Sequence, residues 1–262
     1  MKFSSNIHYL GSAVLAALLA TASARAAVVV NPQNNDIFLG FRASDNVGST
    51  TSYLINLGQY SLFRDTTPGA SISLNGIGDI GADLTAIFGA NWNTRGDVFW
   101  GIFGVSNTAN PVLYASREDT EAAWPALDAF SRNTTASSIV SVLQGVNGYQ
   151  GRDSTGNSTF AVTQTNTTNS SSYNKQVATP GTNDFGSLSE WTSIEGDFGG
   201  GTAGTTLDLY RISSTGVTTP GSFSINNAGL VSFTAAIPEP SSSLLGIAGA
   251  LLLVTSRRRL AH

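Results

Sequence analysis

Glu190 and Glu195 lie five residues apart with Trp191 between them. Paired carboxylates beside an aromatic face are the equipment of glycoside hydrolysis, in which one acid protonates the leaving oxygen and the other attacks or activates water. The pair carries no specific motif, however, and a chain with 17 acidic residues produces such neighbours by chance. Other chemistries are limited by what is missing. There is no cysteine, and the only histidines, His8 and His262, stand at the two ends. Between those ends, thiol nucleophiles, Ser-His-Asp triads and zinc sites built on His or Cys are excluded.

Binding chemistry leaves fainter traces. Trp92, set between Asn91 and Asn93, and Trp191, beside Glu190, are the aromatics best placed to stack on a sugar, although ordinary packing is the better reading of each, since large aromatics are usually buried. Asp79 with Asp83, and Glu118 with Asp119 and Glu121, offer oxygen ligands of the kind calcium takes, but neither has the spacing of an EF-hand loop. Both groups read better as helix caps and first-turn charges. Gly76, Gly78 and Gly81 spell G-x-G-x-x-G without a strand before it, so they read as a turn entering a helix rather than a dinucleotide site. No catalytic residue, metal ligand or cofactor is assigned.

The elements that would position these residues are mostly strands. Ile37, Leu39 and Phe41 alternate, as do Tyr53, Ile55 and Leu57. Residues 97–105 are apolar on both parities, which predicts a central strand covered on both faces, with Gly101 and Gly104 at a bulge or a close approach. Further strands are expected at 28–30, 112–116, 159–165 and 207–212. A closing hairpin is expected around Asn226-Asn227-Ala228-Gly229, between Phe223 with Ile225 and Val231 with Phe233. Helices are expected at 82–88, stopped by Gly89, and at 136–144, capped by Thr134 or Thr135 and stopped by Gly145. A third, short one should start at Trp124-Pro125. This pattern predicts an all-β body, an antiparallel β-sandwich or jelly-roll-like domain with two or three short helical insertions. The alternative is α+β.

Both ends read as addresses. Lys2, an apolar core over 10–20 and the small-x-small run Ala24-Arg25-Ala26 form a secretory signal peptide, 1–26, cut after Ala26. At the other end Pro238-Glu239-Pro240 precedes an apolar span, 241–256, that is expected to be a transmembrane helix, followed by Arg257, Arg258 and Arg259. Arginines resist translocation, so the basic tail stays inside and the body, 27–236, lies outside. That body, with the triplet, holds eight basic residues against all 17 acidic ones, a balance of −9, which disfavours nucleic acid.

The order of triplet, apolar span and arginine cluster resembles the PEP-CTERM sorting signal of Gram-negative bacterial surface proteins. The resemblance covers Ile237 to His262, with Ile237 where the family usually carries valine. It implies export through the Sec translocon, removal of the signal peptide by signal peptidase and transient anchoring in the inner membrane. An exosortase then cuts near the triplet, and the body reaches the cell surface or extracellular matrix. The expected cargo is non-enzymatic and associated with exopolysaccharide or biofilm. The alternatives are a carbohydrate-binding module and a carboxylate-dependent glycan hydrolase.

Overall fold

A computed structural model describes residues 32–74, 77–148, 161–164, 171–177, 185, 193–199 and 206–238. Among the described residues ten antiparallel strands form one sheet: β1 (Asp36–Ala43), β2 (Ser52–Gln59), β3 (Ser71–Ser73), β4 (Val98–Ser106), β5 (Val112–Glu118), β6 (Ala161–Gln164), β7 (Glu195–Asp197), β8 (Leu207–Ser213), β9 (Gly216–Ile225) and β10 (Val231–Ala235). The path runs β3-β10-β9-β8-β5-β4-β1-β2-β6, with β7 attached to β4. The body is therefore all-β and antiparallel, with a few helices.

The sheet curls around a core to which both halves of its path contribute. Leu39 and Phe41 of β1, Trp100 of β4, Leu209 of β8, Phe223 of β9 and Phe233 of β10 share one core, so the two halves of the path wrap around it. Phe63 of helix α1 (Tyr60–Arg64) inserts there, 5.1 Å from the rings of both Phe223 and Phe233. Leu84 and Phe88 of α2 (Ile80–Phe88) fill the same core. On the other face Phe38, Leu54, Phe103, Leu113 and Ile212 meet Ile139 and Val142 of α3 (Ala129–Gly148), together with Tyr173 of α4 (Tyr173–Val177). Each buried aliphatic or aromatic side chain contributes roughly 1.5–3 kcal/mol. As expected for its sequence, β4 is central and covered on both sides.

One edge of β4 is taken throughout by β1. The other edge is divided: Phe99–Gly101 pairs with β7, and Phe103–Ser106 pairs with β5. At the fork the Ser116 hydroxyl accepts from the Ile102 amide at 2.7 Å and donates to the Ile194 carbonyl at 2.6 Å. A side chain thus supplies the hydrogen bonds that the departing strand cannot, as buried backbone requires.

Two helical expectations are corrected. Trp124-Pro125 starts no helix; residues 122–128 are irregular, with the Trp124 indole N–H donating to the Ser116 carbonyl. Helix α3 begins at Ala129, not 136, because the Asp128 carboxylate accepts from the Ser131 amide at 2.7 Å. It passes through Gly145 to Gly148. In contrast, Gly89 does stop α2, at φ 92°, where a side chain would be strained. No helix among the described residues is long and apolar enough to cross a membrane. The signal peptide, the expected strand at 28–30 and the span 241–256 lie outside the described residues.

Candidate functional site

Two places in the fold concentrate chemistry: a sealed ionic cluster on the outer face and the point where the chain leaves its last strand. The cluster starts from β1 and β4, whose Gly40 and Gly101 face each other across the ladder. A Cβ at Gly40 would stand 2.7 Å from the Tyr173 ring, and one at Gly101 would stand 2.9 Å from its hydroxyl. The two glycines therefore form a slot that admits the tyrosine and docks α4 on the sheet. Phe103 stacks on the same ring at 5.2 Å.

Within the slot the Tyr173 hydroxyl donates to Glu195 Oε1 at 2.8 Å. Arg42 grips the same carboxylate, Nε at 2.9 Å and Nη2 at 2.5 Å from Oε2. Its guanidinium also lies 4.6 Å over the Phe99 ring and donates to the Val177 carbonyl at 3.4 Å. The side chains of Arg42 and Glu195 are 9% and 1% exposed. Loss of water raises the Glu195 carboxyl above its usual range, while the Arg42 charge and the hydrogen bonds from Arg42 and Tyr173 oppose the rise. This arrangement joins β1, β7 and α4; it offers no open face to a substrate.

The residues singled out from the sequence are dispersed. Trp92 presents no stacking face: it is 2% exposed and meets Phe198 edge-on at 5.1 Å, in the inner core. Glu195 is sealed as described, whereas Glu190 and Trp191 lie outside the described residues. Asp79 caps α2 through the Ala82 amide at 3.0 Å. Asp83 is buried and accepts from the Tyr53 hydroxyl. Glu121 pairs with Arg117, whose guanidinium also covers Trp124 at 4.5 Å. Among the described residues, no three His, Cys, Asp or Glu side chains gather closely enough to hold a metal. Gly81 presses its backbone against the β9–β10 turn, where a Cβ would meet the Ala228 carbonyl. Packing accounts for that glycine, which lies within the first turn of α2 rather than in a turn before it.

Arg42, Tyr173 and Arg95 escaped the sequence reading. Arg95 donates to the carbonyls of Val47 at 3.0 Å and Asp45 at 3.1 Å, and to the Phe88 carbonyl at the end of α2. It also pairs with Asp97 at 2.6 Å, and these hydrogen bonds, with one from Asn46, hold the Asp97 carboxyl at about 2. The available signals are Arg42 in an otherwise apolar stretch of β1 and Gly40, two residues before it, which faces Gly101.

The second place is the chain exit. Strand β10 is held between β9 and β3. Gly69 donates to the Ala235 carbonyl at 3.0 Å, and Ala236 donates to the Pro220 carbonyl at 2.8 Å. One residue later Ile237 is 76% exposed, and Pro238 is exposed beside it. Glu239, Pro240, Arg257, Arg258 and Arg259 lie outside the described residues, as do Ala24 and Ala26.

No known protein family, curated protein or solved structure matches this chain.

Proposed function

We propose that the chain is an exported bacterial cell-surface or extracellular-matrix protein. It is anchored transiently through 241–256, processed by an exosortase at Pro238-Glu239-Pro240, and serves as a non-catalytic component associated with exopolysaccharide. The observation that carries this reading is the abrupt handover at the end of β10. Ala236 is still hydrogen-bonded to the body, while Ile237 and Pro238, the start of the triplet, already stand in solvent. A protease needs an extended, accessible segment, and proline keeps it so by fixing φ and removing an amide donor. The body needs no unfolding to present that segment.

The interior supports a structural role. Among the described residues, the buried Arg42–Glu195 cluster is consumed in joining β1, β7 and α4. We describe the body as sandwich-like, since the two halves of its curled sheet face a common core. Export uses the Sec translocon and signal peptidase at Ala24-Arg25-Ala26.

Fractionation of cells expressing the tagged chain with and without 237–262 tests the sorting. The intact chain should pass through the membrane fraction to the surface, and the truncated one should be released directly. Identical distribution of the two would reject the proposal.

A further inference from the structure

The strand register sorts the charged residues of the body between its two ends. The end from which β10 leaves also holds the beginning of β1, the end of β2, the β4–β5 loop and the β8–β9 turn. It carries Asn107, Thr108 and Asn110 in one loop and Ser214 and Thr215 in the other, all exposed. Among the described residues its charges balance in number: Arg64 pairs with Asp65 at 2.6 Å, and Arg211 and Asp36 add one of each sign without pairing with each other. Two of the exposed large apolar side chains, Leu62 and Ile237, are here as well.

The opposite end is acidic. Arg95 and Arg117 are paired there with Asp97 and Glu121. Asp45 follows β1, Asp79 precedes α2, Asp119 follows β5 and Asp208 opens β8; against them stands the exposed Lys175 of α4, whose neighbour Asn174 donates to the Ser49 carbonyl and the Ser52 hydroxyl at the β1–β2 connection. Burial, and after it the neighbouring charge of Asp119, raises the Asp208 carboxyl. Strand β9 has ten residues and so spans about 33 Å at ~3.3 Å per residue. The two ends are thus separated by several Debye lengths of about 8–10 Å.

The link to the apolar span is short. Ala236 to Pro240 is five residues, and fully extended they reach about 17 Å at ~3.4 Å each. Two of the five are prolines, which stiffen the link. A body tethered this closely cannot turn over freely.

We propose that the tail-exit end is the face that the anchored body turns toward an anionic lipid bilayer, with the acidic end held outward. This orientation rests on the membrane-anchored reading of 241–256. The geometry of the link brings the uncharged loops to the headgroups, and repulsion between anionic lipid and the acidic end opposes the inverted pose. While anchored, the triplet therefore lies in the gap between bilayer and body, where a membrane enzyme reaches it.

The chain has no cysteine, so single labels can be placed without background. Ser214→Cys marks the tail-exit end and Thr120→Cys the acidic end; both positions are exposed turn residues. The full chain carrying either label is reconstituted into phosphatidylethanolamine–phosphatidylglycerol vesicles containing a headgroup-spin-labelled lipid as quencher. The Ser214→Cys fluorophore should be quenched several-fold more strongly than the Thr120→Cys fluorophore. Equal or reversed quenching in vesicle-bound protein overturns the orientation while leaving the anchor intact. A chain that fails to float with the vesicles overturns the anchor and the orientation together.

Discussion

Arg42 and Glu195, 153 residues apart in the chain, meet through two hydrogen bonds from one guanidinium to one carboxylate oxygen, at 2.9 and 2.5 Å. The contact ties β7, a three-residue strand, to the centre of the sheet. Breaking such a buried pair from one side leaves a charge without its partner. Glu195→Gln should therefore destabilise the body by about 3–5 kcal/mol, whereas Arg42→Met with Glu195→Leu should cost less than either single change. Urea unfolding measures both. A single-variant loss below about 1 kcal/mol would show that the pair is not the clasp described.

Tyr173 and Gly40 should be energetically coupled. Gly40→Ala drives a methyl group into the tyrosine ring and should cost about 1–3 kcal/mol. In a Tyr173→Ala background the same methyl enters vacated space, so its cost should fall sharply. A double-mutant cycle by thermal or urea unfolding decides it; additive losses would mean that the slot has another occupant.

Ser116→Ala removes the hydroxyl at the β5/β7 fork and leaves the Ile102 amide buried without that acceptor. The expected loss is about 1–3 kcal/mol. Hydrogen exchange at Ile102 should accelerate more than exchange at Phe103, which stays within the β4–β5 pairing. Equal changes at both amides would point to a global effect.

Asp97 should give the body part of its acid sensitivity. Its folded value of about 2 lies below the ordinary 3.8, so the folded state favours the carboxylate. The stabilisation is present above pH ~4 and fades as pH falls through about 2. Because the pair with Arg95 is partly open to solvent, Asp97→Asn should cost about 1 kcal/mol at neutral pH. Melting curves across this range should show the gap between wild type and variant closing in acid. A gap independent of pH would assign the loss to packing instead.

Period-two alternation made most of the long strands legible, since each has to bury at least one apolar face. β3 and β7 were not, because Ser-Ile-Ser and Glu-Gly-Asp hold no pattern; β3 is defined by β10, and β7 by the Arg42 clasp. Helix α3 was cut short in the sequence reading because its first half resembles a turn. In the fold Asn133, Thr134, Ser137 and Ser141 each turn a side chain back to the carbonyl four residues earlier, so residues that usually break helices are accommodated. Packing is the better sequence reading of Trp92 despite its asparagine neighbours, which suggest exposure, and the short helical turn Trp92–Thr94 directs the ring inward onto Phe198. The ionic cluster depends on contacts 153 residues apart, from Arg42 to Glu195, and 22 apart, from Tyr173 to Glu195, which no local spacing reveals. The exit of the chain at Ile237 was anticipated by the closing hairpin, the last element before the triplet.

The most direct test of the sorting account is the mass of the body recovered from the cell surface. Intact-protein and C-terminal peptide mass spectrometry should find a chain that starts near Ala27 and ends within or beside Pro238-Glu239-Pro240, lacking Arg257 to His262. Surface-recovered protein that still carries the apolar span and the terminal arginines would contradict it.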